Sequence, residues 1–411
     1  MARTQVELAA EGILTRQVRD VAMAEHVPTD VLMGRVARGS VVIMTRGKVS
    51  VGIGEGLRTK VNVNLGTSSG TGNPLEEVKK AIIAGKHGAD TISDLSMGGD
   101  ISNIRKMIFN NSTLPITTVP IYQACAEQGI KSMNWDYILD TIRMQAGEGV
   151  SSFVFHCVSK EMLALLKSKR RILGVVSKGG SITCAYMLKN QVENPFIENF
   201  DELLSIMKRY DIVLSLGNTM RSGCIHDTRD KAQVAEMKKN AELASHAHSS
   251  GVQVIIEGSG GHIRADRIGT YVKYQKRLSP FPLFVAGPLP TDVAMGHDHI
   301  AGCVGASIAS GAGADYLCYI TPAEHLGLPN PDHVRDGLIA FRIAAHIGDS
   351  IKYGLSGEDA ELAAKRADLD FEGQLCHAID PERAGEMAPR NGPCTMCGEF
   401  CAIKIMKDYH S

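Results

Sequence analysis

The sequence predicts an α/β fold, namely a (β/α)8 barrel of the TIM type with an N-terminal α+β cap and a C-terminal helical tail. Short apolar, β-rich runs recur from about residue 88 to residue 322, and segments with a helical period lie between them. Continuous apolar strands that alternate with amphipathic helices indicate a parallel sheet. Eight such units over about 260 residues fit a closed barrel better than an open doubly wound sheet, which is the alternative interpretation.

The elements follow in a regular order along the chain. Helices near 4–25 and 28–37 and a hairpin over 40–54 form the predicted cap. The predicted barrel strands are 88–96, 115–122, 150–157, 172–180, 211–218, 252–260, 282–289 and 314–322. We therefore predict three segments, namely a cap over 1–75, a catalytic barrel over 76–350, and a C-terminal helical segment with a cysteine-bearing tail over 351–411.

Composition and charge narrow the class of protein. Hydrophobic residues make up 44% of the 411 residues and charged residues 22%, as in ordinary soluble globular proteins. The formal net charge of −1 gives no electrostatic reason to expect nucleic acid or an anionic membrane as a partner. The chain also lacks an apolar stretch long enough to span a membrane, and its first residues lack the apolar core of a signal peptide. We expect a cytoplasmic protein.

Polar, reactive side chains follow the predicted strands at their carboxyl ends. In a (β/α)8 barrel these ends form the face that carries the active site. The residues concerned are Asp94, Tyr122, His156, Ser177, Lys178, Asn218, Arg221, Glu257, His262, Thr321, Glu324 and His325. Ligand-type side chains at seven of eight predicted strand ends exceed what random polar loops would give. The sequence therefore predicts an active site at this face.

Three of the ten cysteines, Cys394, Cys397 and Cys401, lie within the last eighteen residues in a C-x2-C-x3-C spacing. Thiolates so spaced can hold three corners of a 4Fe–4S cluster and leave one iron open. A structural zinc site normally takes four protein ligands, which His377 or His410 would have to complete, so zinc is the alternative. The spacing is that of radical S-adenosylmethionine enzymes in reverse order. We therefore predict a catalytic cluster whose open iron binds S-adenosylmethionine, the source of a 5′-deoxyadenosyl radical.

Several segments of the chain are typical of a single family. They are GEGLRTKVNVNLGTS, DLSMGGDI, TVPIYQA, SLGNTMRSGCI, TPAEHLGLP and CTMCGEFCAIK. From about residue 5 to residue 409 the chain resembles the thiamine pyrimidine synthases (phosphomethylpyrimidine synthases) and their paralogues, atypical radical S-adenosylmethionine enzymes that act on 5-aminoimidazole ribotide. The resemblance implies a mobile tail that brings the cluster over the barrel mouth, a homodimer with possible tail exchange, and an electron donor such as flavodoxin or ferredoxin.

The resemblance also implies roles for individual residues. Substrate binding is implied for Asn64, Tyr122, His156, Ser177, Gly179, Arg221 and Glu257. His262 and His325 match two histidines that hold a divalent metal, usually zinc, and the three tail cysteines match the cluster ligands. We predict catalytic roles for His156, Glu257 and Cys157.

The pocket differs from the family pattern at positions that we also predict to bind substrate. These positions are Ser93, Lys178, Asn218, Thr219, Met220 and Phe284. Ser93 replaces a methionine, Lys178 an arginine and Phe284 a tyrosine, while Asn218 removes a carboxylate. Unchanged cluster and metal ligands with an altered pocket favour a paralogue, 5-hydroxybenzimidazole synthase, which makes the lower ligand of a cobamide. Phosphomethylpyrimidine synthesis and a non-catalytic zinc-binding barrel are the alternatives.

Purely structural roles are the alternative for some of these residues. A lone histidine such as His156 is often a satisfied core group, and Arg221 would also fit a surface ion pair. A methionine such as Met220 commonly fills a gap in the core. The pair His297 and His299 suggests metal ligation, but a polar role at a helix start is the preferred interpretation.

Overall fold

The computed structural model describes residues 3–70, 72–168, 171–227, 229–389 and 394–410. The chain forms two compact units, Met1–Gly348 and Asp349–Ser411. No helix within these described ranges combines the length and the apolar character needed to cross a membrane.

The strands of the first unit form a hairpin and a closed barrel. They are β1 Val41–Arg46, β2 Val49–Gly54, β3 Lys60–Leu65, β4 Thr91–Asp94, β5 Ile116–Thr118, β6 Ser152–Phe155, β7 Val213–Leu216, β8 Val254–Glu257, β9 Leu283–Ala286 and β10 Tyr316–Cys318. β1 and β2 pair antiparallel. The other eight strands run parallel in sequence order, and β10 pairs with β3 to close the barrel. The predicted fold class is confirmed.

Helices precede and connect the strands of the first unit, and further helices make up the second unit. Along the chain they are α1 Gln5–Ala10, α2 Arg16–Ala24, α3 Thr29–Ala37, α4 Pro74–Lys86, α5 Ile101–Asn111, α6 Pro120–Gln128, α7 Trp135–Glu148, α8 Lys160–Ser168, α9 Lys178–Asn190, α10 Pro195–Glu198, α11 Phe200–Tyr210, α12 Lys231–Ser249, α13 Ala265–Leu278, α14 Asp298–Gly311, α15 Pro331–Tyr353, α16 Gly357–Ala367, α17 Phe371–Leu375, α18 Pro381–Met387 and α19 Ala402–His410. Two large apolar clusters fill the layer between the barrel strands and the helices of the first unit.

The hairpin and the first three helices close the amino end of the barrel. One face of the hairpin packs on the helices through residues such as Leu32 and Ile43. The other face joins side chains of the barrel interior in a cluster of Val42, Met44, Ile53, Val213, Ile255 and Tyr316. Gln253 fixes the position of the hairpin, because its side-chain amide accepts from the Ile43 N–H at 2.7 Å and donates to the Ile43 carbonyl at 3.2 Å. The carboxyl ends of the strands form the other face.

A hydrogen-bonded polar layer lies inside the barrel beneath its mouth. The Asn62 side-chain Oδ1 accepts from Thr91 Oγ1 at 2.9 Å, from Ser93 Oγ at 3.1 Å and from the Tyr316 hydroxyl at 3.2 Å. Asn62 is fully buried, and leaving such an amide unpaired would cost about 1–3 kcal/mol. Its Nδ2 donates to Asn64 Oδ1 at 2.8 Å, so the layer holds the side chain of Asn64 from below.

Two details of the predicted strand order are wrong. Residues 172–177 form a loop, and residues 178–180 are the first turn of α9, which Ser177 caps. Two backbone N–H groups of this loop donate to the Asp227 carboxylate at 2.8 and 2.7 Å, in place of pairing with a strand. The first barrel strand is β3, which the prediction left inside the cap segment. Its sequence KVNVNL alternates polar and apolar residues and therefore lacks the continuous apolar run that marked the other strands.

The second unit is helical, as predicted. Ser356, Asp370 and Asp380 cap α16, α17 and α18 with side-chain acceptors. None of these three helices has a buried residue. Lys407 of α19 forms an ion pair with Asp368 at 2.9 Å. Local capping and exposed ion pairs therefore contribute more to this unit than a packed apolar core does.

Gly305 in α14 and Gly269 in α13 test how closely helices pack on the barrel. A Cβ at Gly305 would overlap the carbonyl oxygen of Pro288, whereas a Cβ at Gly269 would make only ordinary contacts. We expect Gly305→Ala to lower the free energy of unfolding by about 1–3 kcal/mol, because overpacking displaces the helix. Gly269→Ala should be neutral or stabilising by up to about 1 kcal/mol through helix propensity. Chemical denaturation measures both values, and equal effects would contradict the close packing at Gly305.

Candidate active site at the barrel mouth

Two neighbouring cavities open at the carboxyl ends of the strands. The barrel chamber, of about 120 Å³, lies over the strand ends. The predicted substrate residues that line it are Asn64, Ser93, Tyr122, His156, Ser177, Asn218, Arg221, Glu257 and Phe284. The loop chamber, of about 250 Å³, is lined by loop residues that include Thr67, Lys178, Glu324 and His325. Asn64 and Leu95 line both chambers.

His156 follows β6 and is held as a neutral imidazole. Its Nε2 lies 2.9 Å from Ser177 Oγ, and no described residue bonds its buried Nδ1. Burial, and secondly the charge of Arg221, lowers the pKa of His156 to about 3. A Cβ at Gly179 or Gly217 would overlap the ring, so these glycines leave the space that it fills. The imidazole can therefore exchange hydrogen bonds in the chamber but does not act there as a cation.

Glu257 and Arg221 form the charged part of the barrel chamber. Glu257 ends β8, and its Oε1 accepts from Ser215 Oγ at 2.9 Å. Burial raises the pKa of Glu257 above its ordinary value, while Ser215 and the Arg221 guanidinium oppose the rise. The Arg221 Nη1 donates to the Asn218 carbonyl at 3.1 Å. A carboxyl group with a raised pKa holds its proton to a higher pH than an exposed glutamate does, which suits a role in proton transfer.

Tyr122 and Lys178 lie where the two chambers meet. The Lys178 Nζ lies 5.4 Å from the centre of the Tyr122 ring. Burial lowers the pKa of Lys178 and raises the pKa of Tyr122 to about 12. Tyr122 is therefore a neutral hydroxyl at physiological pH, and Lys178 lines the loop chamber rather than the barrel chamber.

Cys318 lines the barrel chamber, although its neighbours in the sequence do not distinguish it from the other isolated cysteines. Asn64 Nδ2 donates to its sulfur at 2.9 Å. Burial raises the pKa of the Cys318 thiol to about 12, so the group is a neutral thiol. On the neighbouring strand, Phe284 stacks on Tyr316 with ring centres 4.1 Å apart, which fixes the aromatic wall of the chamber.

A buried ion pair joins the two loops of the loop chamber. Glu77 and Lys80 lie 2.6 Å apart on α4, and both side chains are almost fully buried. Glu77 Oε2 accepts from the Gly66 N–H at 2.6 Å, and Lys80 donates to the Pro329 carbonyl at 3.1 Å. Both bonded groups belong to loops that line the chamber. In the sequence this ion pair is visible only as two opposite charges at i, i+3 spacing inside an amphipathic helix.

His262 and His325 approach each other beside the loop chamber. Their ring centres are 5.2 Å apart, and the Asp292 carboxylate lies 2.7 Å from His262 Nδ1. Asp298 is buried, and its Oδ2 has no hydrogen-bond partner among the described residues. Two imidazoles with nearby carboxylates suit a divalent metal such as zinc. However, within the described ranges no three His, Cys, Asp or Glu side chains converge on one point. Any further ligands would be water or substrate.

Three of the predicted site residues turn their side chains away from both chambers. Cys157 is fully buried in the apolar cluster between strands and helices, and burial raises the pKa of its thiol to about 12. Met220 packs in a separate apolar cluster with Val158 and Met187. Thr219 is fully buried next to Gly180. Their neighbours His156 and Arg221 line the barrel chamber. Adjacent residues of these segments therefore place their side chains on opposite sides of the backbone.

Glu236 is a residue that the sequence did not single out. Its carboxylate accepts from the Thr219 N–H at 2.7 Å and from the Met220 N–H at 2.8 Å. Arg171 donates to the Met220 carbonyl at 2.9 Å. Burial raises the pKa of Glu236 to about 7. These bonds hold the loop after β7 from behind and direct Asn218 and Arg221 to the chamber; the signal was a glutamate on the apolar face of α12.

The tail cysteines belong to the second unit. Cys394 precedes a turn, Cys397 ends it, and Cys401 lies between a short 3-10 helix and α19. The Cys394 carbonyl accepts from the Gly398 N–H at 3.0 Å. Three thiols within eight residues supply the kind of donors that an iron–sulfur cluster needs, although these described side chains do not converge on one point. His377, a possible fourth zinc ligand, lies 3.5 Å from Glu361.

A parallel barrel with reactive groups at its mouth, together with a three-cysteine tail, defines a barrel enzyme of the radical S-adenosylmethionine class. A comparison with models of protein families identifies the family within this class. The chain matches the Radical SAM ThiC family over residues 4–408, and it belongs to that family. It is therefore a radical S-adenosylmethionine carbon–carbon lyase, and membership implies S-adenosylmethionine and an iron–sulfur cluster as cofactors.

Curated relatives match the whole chain. Phosphomethylpyrimidine synthase of Thermoanaerobacter sp. (strain X514) is 43% identical over 424 residues, which cover 99% of this chain and 98% of that protein. The protein of the same name from Methanoregula boonei is 44% identical over 420 residues, covering 98% and 99%. That of Geobacter metallireducens is 43% identical over 428 residues, covering 99% and 98%.

Glu236→Gln tests whether this carboxylate holds the loop after β7. Glutamine offers one acceptor in place of two, so one backbone N–H loses its partner at a cost of about 1–3 kcal/mol. We expect about tenfold faster hydrogen exchange in peptides covering residues 217–221, measured by mass spectrometry. The control is Glu242→Gln on the same helix, where the glutamate forms an exposed pair with Lys239. Unchanged exchange in both variants would refute the role of Glu236.

Proposed function

We propose that this chain converts 5-aminoimidazole ribotide into phosphomethylpyrimidine, the pyrimidine precursor of thiamine. The observation that carries the proposal is the near full-length identity of 43–44% with relatives of that name. The grouping of Asn64, Tyr122, His156, Arg221 and Glu257 around one chamber supports it further. From the sequence alone this product is the alternative to 5-hydroxybenzimidazole. The names of the relatives favour the pyrimidine product over the benzimidazole.

The chamber residues suit a phosphorylated ribotide. Ser177 and α9 present the amino end of a helix, which attracts a phosphate group. Lys178 adds positive charge in the loop chamber and Arg221 in the barrel chamber, and Arg221 can bind phosphate bidentately. His156 and Tyr122, both neutral, are left to hydrogen-bond the imidazole ring or the ribose hydroxyls. Glu257, with its raised pKa, is the group placed to move a proton at the ring.

The cofactors of this reaction would be held by two further groups of residues. Cys394, Cys397 and Cys401 would hold a 4Fe–4S cluster, whose chemistry when bound is the reductive cleavage of S-adenosylmethionine. His262 and His325 would hold a divalent metal, and zinc is the proposed identity. The family resemblance alone supports a homodimer with tail exchange, an electron donor such as flavodoxin or ferredoxin, and a cytoplasmic location.

A second candidate product is 5-hydroxybenzimidazole. The observation that favours it is the position of the departures from the family pattern. Ser93, Asn218 and Phe284 all line the barrel chamber, where they replace a methionine, a carboxylate and a phenol. Losing the last two groups would change which radical intermediates are protonated or steered. The same radical generator would then give a different rearrangement.

Product analysis distinguishes the two candidates. The reconstituted protein is incubated anaerobically with 5-aminoimidazole ribotide, S-adenosylmethionine and dithionite, and products are separated by liquid chromatography with mass and fluorescence detection. We expect the pyrimidine phosphate together with formate and carbon monoxide. A fluorescent benzimidazole in place of the pyrimidine would overturn the first proposal and establish the second.

Cys394→Ala tests the cluster assignment. We expect at least a hundredfold less 5′-deoxyadenosine, because the cluster loses one of three protein ligands, while the far-ultraviolet circular dichroism stays unchanged. Cys376→Ala is the control, since Cys376 is an exposed cysteine of the same unit outside the motif. Undiminished 5′-deoxyadenosine from Cys394→Ala would show that the ligands are others. A colourless wild-type protein that retains zinc alone after reconstitution would support a non-catalytic zinc-binding barrel.

A further inference from the structure

Asp292 joins three loops at the barrel mouth. Its Oδ1 lies 2.7 Å from Nδ1 of His262, which follows β8. Its two carboxylate oxygens also accept from the Ile225 N–H, in the loop after β7, at 3.3 and 3.1 Å. Asp292 itself follows β9. The loops of three consecutive strands therefore meet at one carboxylate.

The backbone of His262 is fixed independently of its side chain. Its N–H donates to the Ser222 carbonyl at 3.0 Å, and its carbonyl accepts from Ser222 Oγ at 2.6 Å. With the backbone fixed, the remaining freedom of His262 lies in the rotation and the tautomer of its ring. Asp292 contacts the ring of His262 and therefore restricts both its rotation and its tautomer.

The contact with Asp292 determines which ring nitrogen of His262 is free. A carboxylate only accepts hydrogen bonds, so the proton of the neutral ring resides on Nδ1 and the lone pair on Nε2. His325, with its ring centre 5.2 Å away, is the second imidazole of the pair. A carboxylate behind a histidine ligand fixes ring and tautomer and raises the basicity of the donor nitrogen in many metal sites.

We propose that Asp292 is a positioning residue that holds His262 with Nε2 as the donor to a divalent cation. This inference rests on the proposed metal site of His262 and His325. It adds that the metal affinity of the site depends on a residue that binds no metal itself. It also links that affinity to the loop after β7, which carries Arg221 and is bonded to Asp292 through Ile225.

Metal titration of the full-length chain tests the proposal without any assay of turnover. Cobalt(II) is titrated anaerobically into metal-free Cys394→Ala protein, which removes the competing cluster site, and zinc affinity follows by competition. We expect Asp292→Ala to raise the Kd for zinc by about 10- to 100-fold. Asp292→Asn should weaken zinc binding less than Asp292→Ala does, because its amide oxygen still accepts from Nδ1 of His262 but carries no charge.

Two matched variants separate this role from a general effect of lost charge. His246 and Asp201 form an exposed pair with the same 2.7 Å distance, so Asp201→Asn should leave the Kd unchanged. Asp298→Asn removes the buried carboxylate near the histidines and shows whether that group contributes instead. A larger loss from Asp298→Asn together with no loss from Asp292→Ala would overturn the proposal.

The possible failures are distinguishable. Wild-type affinity in Asp292→Ala, with binding abolished by His262→Ala, would overturn the role of Asp292 and leave the metal site intact. No cobalt binding in the parent protein would remove the metal site from the proposed function, and the inference would fall with it. Nitrogen-15 spectra of labelled histidine give a second measurement: we expect His262 as the Nδ1–H tautomer in the metal-free parent and a mixture of tautomers in Asp292→Ala.

Discussion

Burial of the titratable groups is the constraint on which the barrel mouth depends, and the positive charge of Arg221 acts on the same groups. Burial, and secondly this charge, lowers the pKa of His156, whereas the charge opposes the effect of burial on the pKa of Glu257 and of Tyr122. A single charge acts on several groups here because they are buried, where electrostatic interactions are stronger than in water. Its position follows from the backbone of its own loop, which Glu236 and Arg171 hold from the far side.

Charged groups outside the chambers are therefore as important as those inside. The buried pair of Glu77 and Lys80 bonds one backbone group in each loop of the loop chamber. A buried pair of this kind is weak evidence for stability, since desolvation offsets much of the attraction. Its clear consequence is geometric, because two loops that are far apart in sequence are fixed to the same helix. Asp292 does the same for three loops on the other side of the mouth.

Reactive residues that follow the apolar strands do lie at the barrel mouth. Their position in the sequence does not predict which way each neighbouring side chain points. Apolar runs followed by a reactive group identified His156, Arg221 and Glu257. Cys157 was selected beside His156, although successive residues of an extended chain point to opposite sides. The sequence of residues 172–180 resembles an apolar strand, but the loop at 172–177 bonds the distant Asp227 in place of a neighbouring strand. Such long-range partners have no local sequence signal. For Glu236, the sequence shows a glutamate on the apolar face of α12 but not the backbone groups that it bonds.

The charge balance of the barrel chamber bears on what it binds. Glu257 is the one acidic group among the residues described as lining that chamber, and the family resemblance implies that Asn218 replaces a second carboxylate. Because burial raises the pKa of Glu257, a larger fraction of it is neutral at a given pH than for an exposed glutamate. The positive charge of Arg221 is then less fully neutralised. The chamber is therefore more positive than a chamber with two carboxylates would be. A more positive chamber would bind the phosphate of the proposed ribotide substrate more strongly and would stabilise negative charge that develops on its ring. Under the proposed function, the residue at position 218 would therefore act first on the stability of charged intermediates, from which two products of one starting material can diverge.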